Sequence, residues 1–249
     1  MKSVYFHIKQ SIDKGEKLLA VLMDPDKVKL ETVPEFLKKV NASIIQYVFV
    51  GGSTVEADQT EKLVVEIKKH TNLPIVIFPG DVNQITCEAD ALLFLSLISG
   101  RNPDYLIEKH VQAIPILKET QLEVIPTGYI LIENGKETAV ERVTGTKPIS
   151  KTEVELIAHT AKAGELMGKQ LIYLEAGSGA QHPVANDVIE AVRMELKIPL
   201  IVGGGIRNMR QMELAYGAGA DMIVIGTAFE EDESFFEELK LEPKLKHIS

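Results

Sequence analysis

Short apolar runs alternate with amphipathic stretches along the whole chain. Leu18 to Met23, Ile44 to Val50, Ile75 to Phe78 and Ala91 to Leu95 have the length and Val/Ile/Leu content of strands covered on both faces. Further runs follow at Leu122 to Ile132, Leu171 to Leu174, Leu200 to Val202 and Asp221 to Thr227. The fifth of these reads as interrupted by Pro126, Thr127 and Gly128. Between the runs, Ala57 to His70 places Leu63, Val64 and Ile67 on one helical face. Helical patterns also cover Tyr105 to Glu119, Lys151 to Met167, Val184 to Leu196 and Met209 to Gly217. About eight strands alternating with helices predict a (β/α)8 TIM barrel. The 249-residue chain has the length of a single such domain, spanning 1–249.

One interval breaks the pattern. Phe78 to Ala91 holds Pro79, Gly80 and Asp81 and is too short for a full crossover helix. Either a loop replaces the third helix or one strand assignment is wrong. A missing helix would open a groove on the barrel flank, with Ile85, Ala89, Leu97 and Ile98 available to line it for an apolar ligand.

Composition narrows the function class. Hydrophobic residues make up 45% and charged residues 25%, enough apolar material for a large core. The net charge of -9 is spread without a basic stripe, which argues against nucleic acid as a main partner. A phosphorylated ligand remains possible, because a local cup of backbone N–H groups binds anions inside an acidic protein. Cys87 is the only cysteine, so neither an intrachain disulfide nor a cysteine metal site is expected. Met1 to Gly15 is polar, without a signal-peptide core. No apolar run approaches the roughly 20 residues of a membrane span, and the expectation is a cytoplasmic protein.

The candidate chemistry gathers at strand ends. Leu200 to Val202 runs into Gly203-Gly204-Gly205, with a helix expected from about Asn208. The eighth run ends in Gly226 and Thr227. Two strand-to-glycine units near the C-terminus suggest the phosphate cup of a barrel, although glycines also serve simply as tight turns. Asp24 leaves the first strand in Asp24-Pro25-Asp26 and is a hard oxygen ligand suited to Mg²⁺ shared with substrate phosphates. Asp26 is expected to be the nearer of the two to a helix N-cap. Gly51-Gly52-Ser53-Thr54 ends the second strand with small residues and hydroxyls, fit for a diphosphate or its metal; part of a capping box is the other reading. The sixth strand ends in Tyr173-Leu174-Glu175, and alternation points Tyr173 and Glu175 at the barrel axis. Glu175 sits where a general base would, or else is a structural ion-pair partner. Ala176-Gly177-Ser178-Gly179 follow as further N–H donors. Among the histidines, His110 and His159 read as surface or packing residues and His182 as a weak candidate. No histidine pair has metal-ligand spacing.

Asp24-Pro25-Asp26, Gly51-Gly52-Ser53, Tyr173 to Gly179, Gly203-Gly204-Gly205-Ile206 and Gly226-Thr227 together resemble the geranylgeranylglyceryl phosphate synthase family. That family includes the bacterial heptaprenylglyceryl phosphate synthases. The resemblance covers nearly the whole chain, including Gly128-Tyr129-Ile130 and Arg142-Val143-Thr144. It implies a barrel lacking a standard third helix. It also implies a Mg²⁺-dependent prenyltransferase of ether phospholipid biosynthesis, joining geranylgeranyl diphosphate to sn-glycerol 1-phosphate and releasing diphosphate. It further implies a metal site at Asp24 and Ser53, and a base at Glu175 with Tyr173 beside it. The glycerol phosphate site falls on Tyr173, Leu174, Glu175, Ala176, Gly177, Ser178, Gly179, Gly204, Gly205, Gly226 and Thr227. Tyr105 and Tyr129 fall in the prenyl groove, where a bulky aromatic at Tyr105 limits the tail to geranylgeranyl length. Family members form dimers and hexamers, so a homo-oligomer is expected. The rival readings are a phosphosugar isomerase or synthase on the same barrel, a longer-chain synthase, and a non-catalytic phosphate-ligand-binding barrel.

Overall fold

The computed structural model describes residues 3–226, 228–229 and 235–240. Its strands are β1 (Leu18–Met23), β2 (Tyr47–Val50), β3 (Ile75–Ile77), β4 (Ala91–Leu97), β5 (Glu123–Leu131), β6 (Leu171–Glu175), β7 (Leu200–Gly203) and β8 (Met222–Ile225). They pair in parallel and in chain order, and β8 returns to β1, closing an eight-stranded barrel. Strand alternation sorts the side chains into two cores. Ala20, Phe49, Val76, Leu93, Tyr129, Tyr173, Ile201 and Val224 fill the interior, while Val21, Val48, Ile77, Leu92, Ile130, Leu174, Val202 and Ile223 meet the helices.

The fifth strand corrects one expectation. It runs unbroken through Pro126, Thr127 and Gly128, with Pro126 paired to Phe94 and Gly128 to Ser96 and Ile172. A parallel ladder draws on each strand's N–H groups only at alternate positions per side, so a proline at one position need not end the strand.

The helices are α1 (Val4–Asp13), α2 (Val33–Asn41), α3 (Gln59–Lys68), α4 (Lys109–Lys118), α5 (Ala139–Thr144), α6 (Val154–Leu166), α7 (Asn186–Glu195), α8 (Met209–Gly217) and α9 (Phe235–Glu238). The sequence pattern anticipated α3, α4, α6, α7 and α8 and left out α1, α2, α5 and α9. A π-helical turn, Asp104–Glu108, leads into α4. Asn208 caps α8 by accepting from the Gln211 N–H. No α-helix joins β3 to β4; a single 3₁₀ turn, Val82–Gln84, spans the interval. The short spacing thus reflects a missing third helix and not a misplaced strand.

The N-terminal helix α1 plugs the barrel floor. Its buried Val4 and Ile8 join the interior cluster beside Leu18, Ala20 and Leu93. The Glu123 carboxylate, at the start of β5, accepts from Ser3 Oγ at 2.5 Å and from the Val4 and Tyr5 N–H groups at 2.5 and 3.1 Å. An acidic group at a helix N-terminus satisfies orphan N–H donors and complements the helix dipole. Glu123→Ala is therefore expected to cost about 1–2 kcal/mol of unfolding free energy. Urea denaturation checks this, and an unchanged midpoint would mean that the plug does not depend on this cap.

Candidate active site

Glu175 ends β6 and points into the barrel mouth, where it is 6% exposed. Its Oε1 accepts the Gly177 N–H at 2.6 Å. The hydroxyls of Tyr173 and Tyr129 also hydrogen-bond it. Burial pushes the Glu175 carboxyl up from 4.5 to about 7, against the pull of those donors. The same burial, with the neighbouring carboxylate, pushes both tyrosine hydroxyls well above their ordinary range. Phe78 stacks on Tyr173 with ring centroids 5.0 Å apart, and Tyr129 lies tilted 5.5 Å from Tyr173. The mouth thus holds one desolvated carboxylate in an aromatic box, as expected for a tuned acid or base.

The glycines after β7 are required by that box. A Cβ on Gly203 would fall 2.1 Å from the Tyr173 hydroxyl. Gly204 has φ +84°, and a Cβ there would sit 2.5 Å from Glu175 Oε1 and 2.8 Å from Gly177 N. Gly177, Ser178, Gly179, Gly204, Gly205 and Gly226 line one wall of the cavity. Thr227 lies outside the described residues. Leu174 and Ala176 lie apart from that wall: both side chains are buried in the outer core, facing the helices, and neither residue lines the cavity. They are held there by the alternation that turns Tyr173 and Glu175 inward.

Across the mouth, Asp24, Gly51, Gly52 and Ser53 line the opposite wall. The Asp24 carboxylate accepts the Asp26 N–H at 3.1 Å and pairs with Lys27 at 3.5 Å. Asp26 is no helix cap; its carboxylate accepts the Glu56 N–H at 3.4 Å and ties the β1 loop to the β2 loop. The chain after Asp26 forms a turn before the 3₁₀ segment Leu30–Thr32, so no helix starts there to be capped. Gln84, from the turn replacing the third helix, accepts from Gly52 N at 3.4 Å and Gly80 N at 3.2 Å, and donates to Gly52 O at 2.9 Å. This buried amide fixes the loop that carries Ser53.

The cavity continues down the flank where the third helix is missing. Phe94, Leu92, Ile85, Tyr105, His110 and Ala113 line it there. Lys109 bridges this gap to Asp81 at 2.7 and 2.8 Å, with its ammonium 6.0 Å from the Tyr105 ring centroid. The Tyr105 hydroxyl points to Val143 O at 3.4 Å. Of the residues expected in the groove, Ile85, Leu97, Tyr105 and Tyr129 line it. Ala89 does not; it is packed in the outer core. Ile98 lines instead a separate surface hollow with Leu106 and Gly164. His182 is exposed and does not line the cavity; its backbone packs against Gly205 in the wall.

Sequence reading missed Phe78, Gln84, Phe94 and Lys109, and it placed His110 on the surface or in packing. His110 is in fact buried and on the groove wall. No motif marks these residues. Their one shared signal is that they flank the short Phe78-to-Ala91 interval or face it from the next helix.

Fold and site define a (β/α)8 barrel whose mouth carries a glycine-rich wall, a buried carboxylate and an apolar side groove. The PcrB family model matches residues 12–245, and the chain belongs to that family. A Flavobacterium johnsoniae protein named geranylgeranylglyceryl phosphate synthase is 54% identical over 237 residues, covering 95% of this chain and 98% of its own. A Zunongwangia profunda protein of the same name is 56% identical over 219 residues, covering 88% and 93%. The crystal structure of (S)-3-O-geranylgeranylglyceryl phosphate synthase from Thermoplasma acidophilum, in complex with substrate sn-glycerol-1-phosphate, aligns with a TM-score of 0.89. It is 30% identical and covers 96% of both chains.

The Glu175 carboxyl holds its proton more tightly folded, at about 7, than at its ordinary 4.5. Stability from that proton is fully present below the ordinary value and is lost as pH rises through the folded one. Wild-type Tm should therefore fall relative to Glu175→Gln as pH rises between about 5 and 8. Differential scanning calorimetry across that range checks this, and parallel Tm curves would show that the carboxyl is not desolvated.

Proposed function

We propose that this chain joins geranylgeranyl diphosphate to sn-glycerol 1-phosphate through an ether bond and releases diphosphate, in ether phospholipid biosynthesis. The observation that carries the reading is one cavity that runs from a glycine wall, past a buried carboxylate, into an apolar flank groove. A phosphosugar isomerase has no use for that groove.

In this reading Ser178, Gly179, Gly204, Gly205 and Gly226, with Thr227, hold the glycerol phosphate through backbone N–H groups and hydroxyls, while Gly177 lines the cup and gives its N–H to Glu175. The free glycerol hydroxyl then faces Glu175. Its oxygen bonds to the first carbon of the prenyl chain as that carbon's bond to the diphosphate breaks, and Glu175 takes the hydroxyl proton. The carboxylate and the Tyr129 and Tyr173 rings surround the allylic cation and exclude water. The flank groove takes the tail, and Tyr105 narrows it.

Asp24 and Ser53 are the proposed Mg²⁺ residues. No group of three His, Cys, Asp or Glu side chains converges among the described residues. The donor set fits an ion that takes one carboxylate from the protein and completes its shell with phosphate oxygens and water. When bound, Mg²⁺ supplies charge neutralisation of the leaving diphosphate. Lys27, within reach of Asp24, adds positive charge on the same wall. A homo-oligomer working in the cytoplasm completes the proposal; among the described residues no helix is long and apolar enough to cross a membrane.

Labelled glycerol phosphate, geranylgeranyl diphosphate and Mg²⁺, followed by extraction into organic solvent, test the reading. Product should form in the wild type and fall about 10²-fold or more in Glu175→Gln, with glycerol phosphate binding retained. No extractable product in the wild type would refute the proposed activity; near-normal turnover in the variant would remove Glu175 from the mechanism.

Asp24→Asn should raise the Mg²⁺ concentration needed for half-maximal rate at least tenfold, because a neutral amide is a weaker ligand for a hard cation. Titrating Mg²⁺ in both proteins reads this out. Full activity in excess chelator would count against a metal site here.

A further inference from the structure

Two buried polar side chains, Ser96 and His110, and the half-buried Lys169 cluster behind the flank groove, and the proposed reaction uses none of them. Lys169 Nζ donates to Ser96 Oγ at 2.6 Å, and Ser96 Oγ lies 3.1 Å from His110 Nε2. The ammonium can only donate, so the Ser96 hydroxyl hydrogen is left for Nε2. The proton of a neutral His110 then sits on Nδ1, which is buried with only the Leu95 and Ile107 backbone close by. Burial, with the nearby Lys169 charge, pushes the His110 pKa down and keeps the ring neutral. Phe94 meets that ring edge-on, with centroids 4.4 Å apart. Both rings line the groove.

The order of residues along the groove gives this cluster a role. Tyr105 stands at its upper end, and the lining continues past it through Lys109 to His110 and Ala113. His110 is five residues after Tyr105, about one turn further along the helical segment. Ser96 and Lys169 hold its ring from the side facing the barrel, and Phe94 holds its face. A tail that passed Tyr105 would meet a ring fixed by its bond to Ser96 and by its packing on Phe94.

We infer that His110, held by Ser96 and Lys169, is a second stop in the flank groove that limits prenyl tail length beyond Tyr105. The inference rests on the prenyl-transfer reading and names a specificity-determining residue for it. Tyr105 alone does not end the groove, and removing it alone leaves His110 in the path.

The test compares kcat/KM for geranylgeranyl and heptaprenyl diphosphates in wild type, Tyr105→Ala, His110→Ala and the double variant. The heptaprenyl-to-geranylgeranyl ratio should rise in Tyr105→Ala and at least tenfold further in the double variant, through a lower KM for the longer substrate. Ser96→Ala in the Tyr105→Ala background should move the ratio the same way, because it frees the ring and leaves the helix intact. A raised ratio in Tyr105→Ala that neither His110→Ala nor Ser96→Ala increases would overturn the inference and leave the prenyl-transfer reading standing. A wild type that transfers neither prenyl group to glycerol phosphate would remove that reading, and the inference with it.

Discussion

The site depends on keeping a carboxylate out of water at the end of a buried strand. Glu175 is desolvated on all sides, and that environment alone lifts its proton affinity into the neutral range. Holding it there requires donors, and β6 supplies them locally: Tyr173 two residues earlier and the Gly177 N–H two residues later. Tyr129 comes from the adjacent strand, in register with Tyr173. The glycines after β7 follow from the same constraint, because the Tyr173 hydroxyl and Glu175 Oε1 occupy the space that their side chains would take. Residues that look like a generic anion loop are thus also the packing partners of the base.

A second constraint is the absent third helix. Removing a crossover helix from a barrel uncovers apolar strand surface, here Phe94. The chain manages the exposure in two ways. Gln84 pins the 3₁₀ turn to Gly52 and Gly80, so the shortened connection also fixes the mouth loop bearing Ser53. Lys109 and Asp81 join the two banks of the gap, over a groove that stays open beneath. A defect in the barrel pattern becomes a long apolar channel connected to a polar mouth, the shape that an amphiphilic diphosphate requires.

The line from half-buried Lys169 to buried Ser96 and His110 belongs to the same economy of space. Polar groups taken out of water need partners, and these three find them chiefly in one another. Their cost is accepted at a place where the groove needs a rigid wall. A purely apolar wall would be softer to a hydrocarbon tail, which packs against leucine as readily as against itself.

The sequence by itself determined the eight-strand alternation, the short third connection, the inward pairing of Tyr173 and Glu175, and the glycine units after β7 and β8. Each is a local property: strand period, segment length and backbone freedom are written in neighbouring residues. Tertiary structure alone decided the rest. Pro126 proved compatible with a strand because it pairs with β4 alone, before the β6 ladder begins at Thr127, and Gly128 because both neighbouring strands hold it. The stretch Met1 to Gly15, polar in composition, proved to hold the helix that plugs the barrel, since the floor that Val4 and Ile8 fill is built by strands distant in the chain. Asp26 became a loop tie and not a cap, because no helix begins beside it. His110 moved from packing residue to groove wall because its partners, Ser96 and Lys169, lie 14 and about sixty positions away in the chain, a separation no local pattern spans. Contacts between distant segments are set by closure of the barrel, and closure is a property of all eight strands at once.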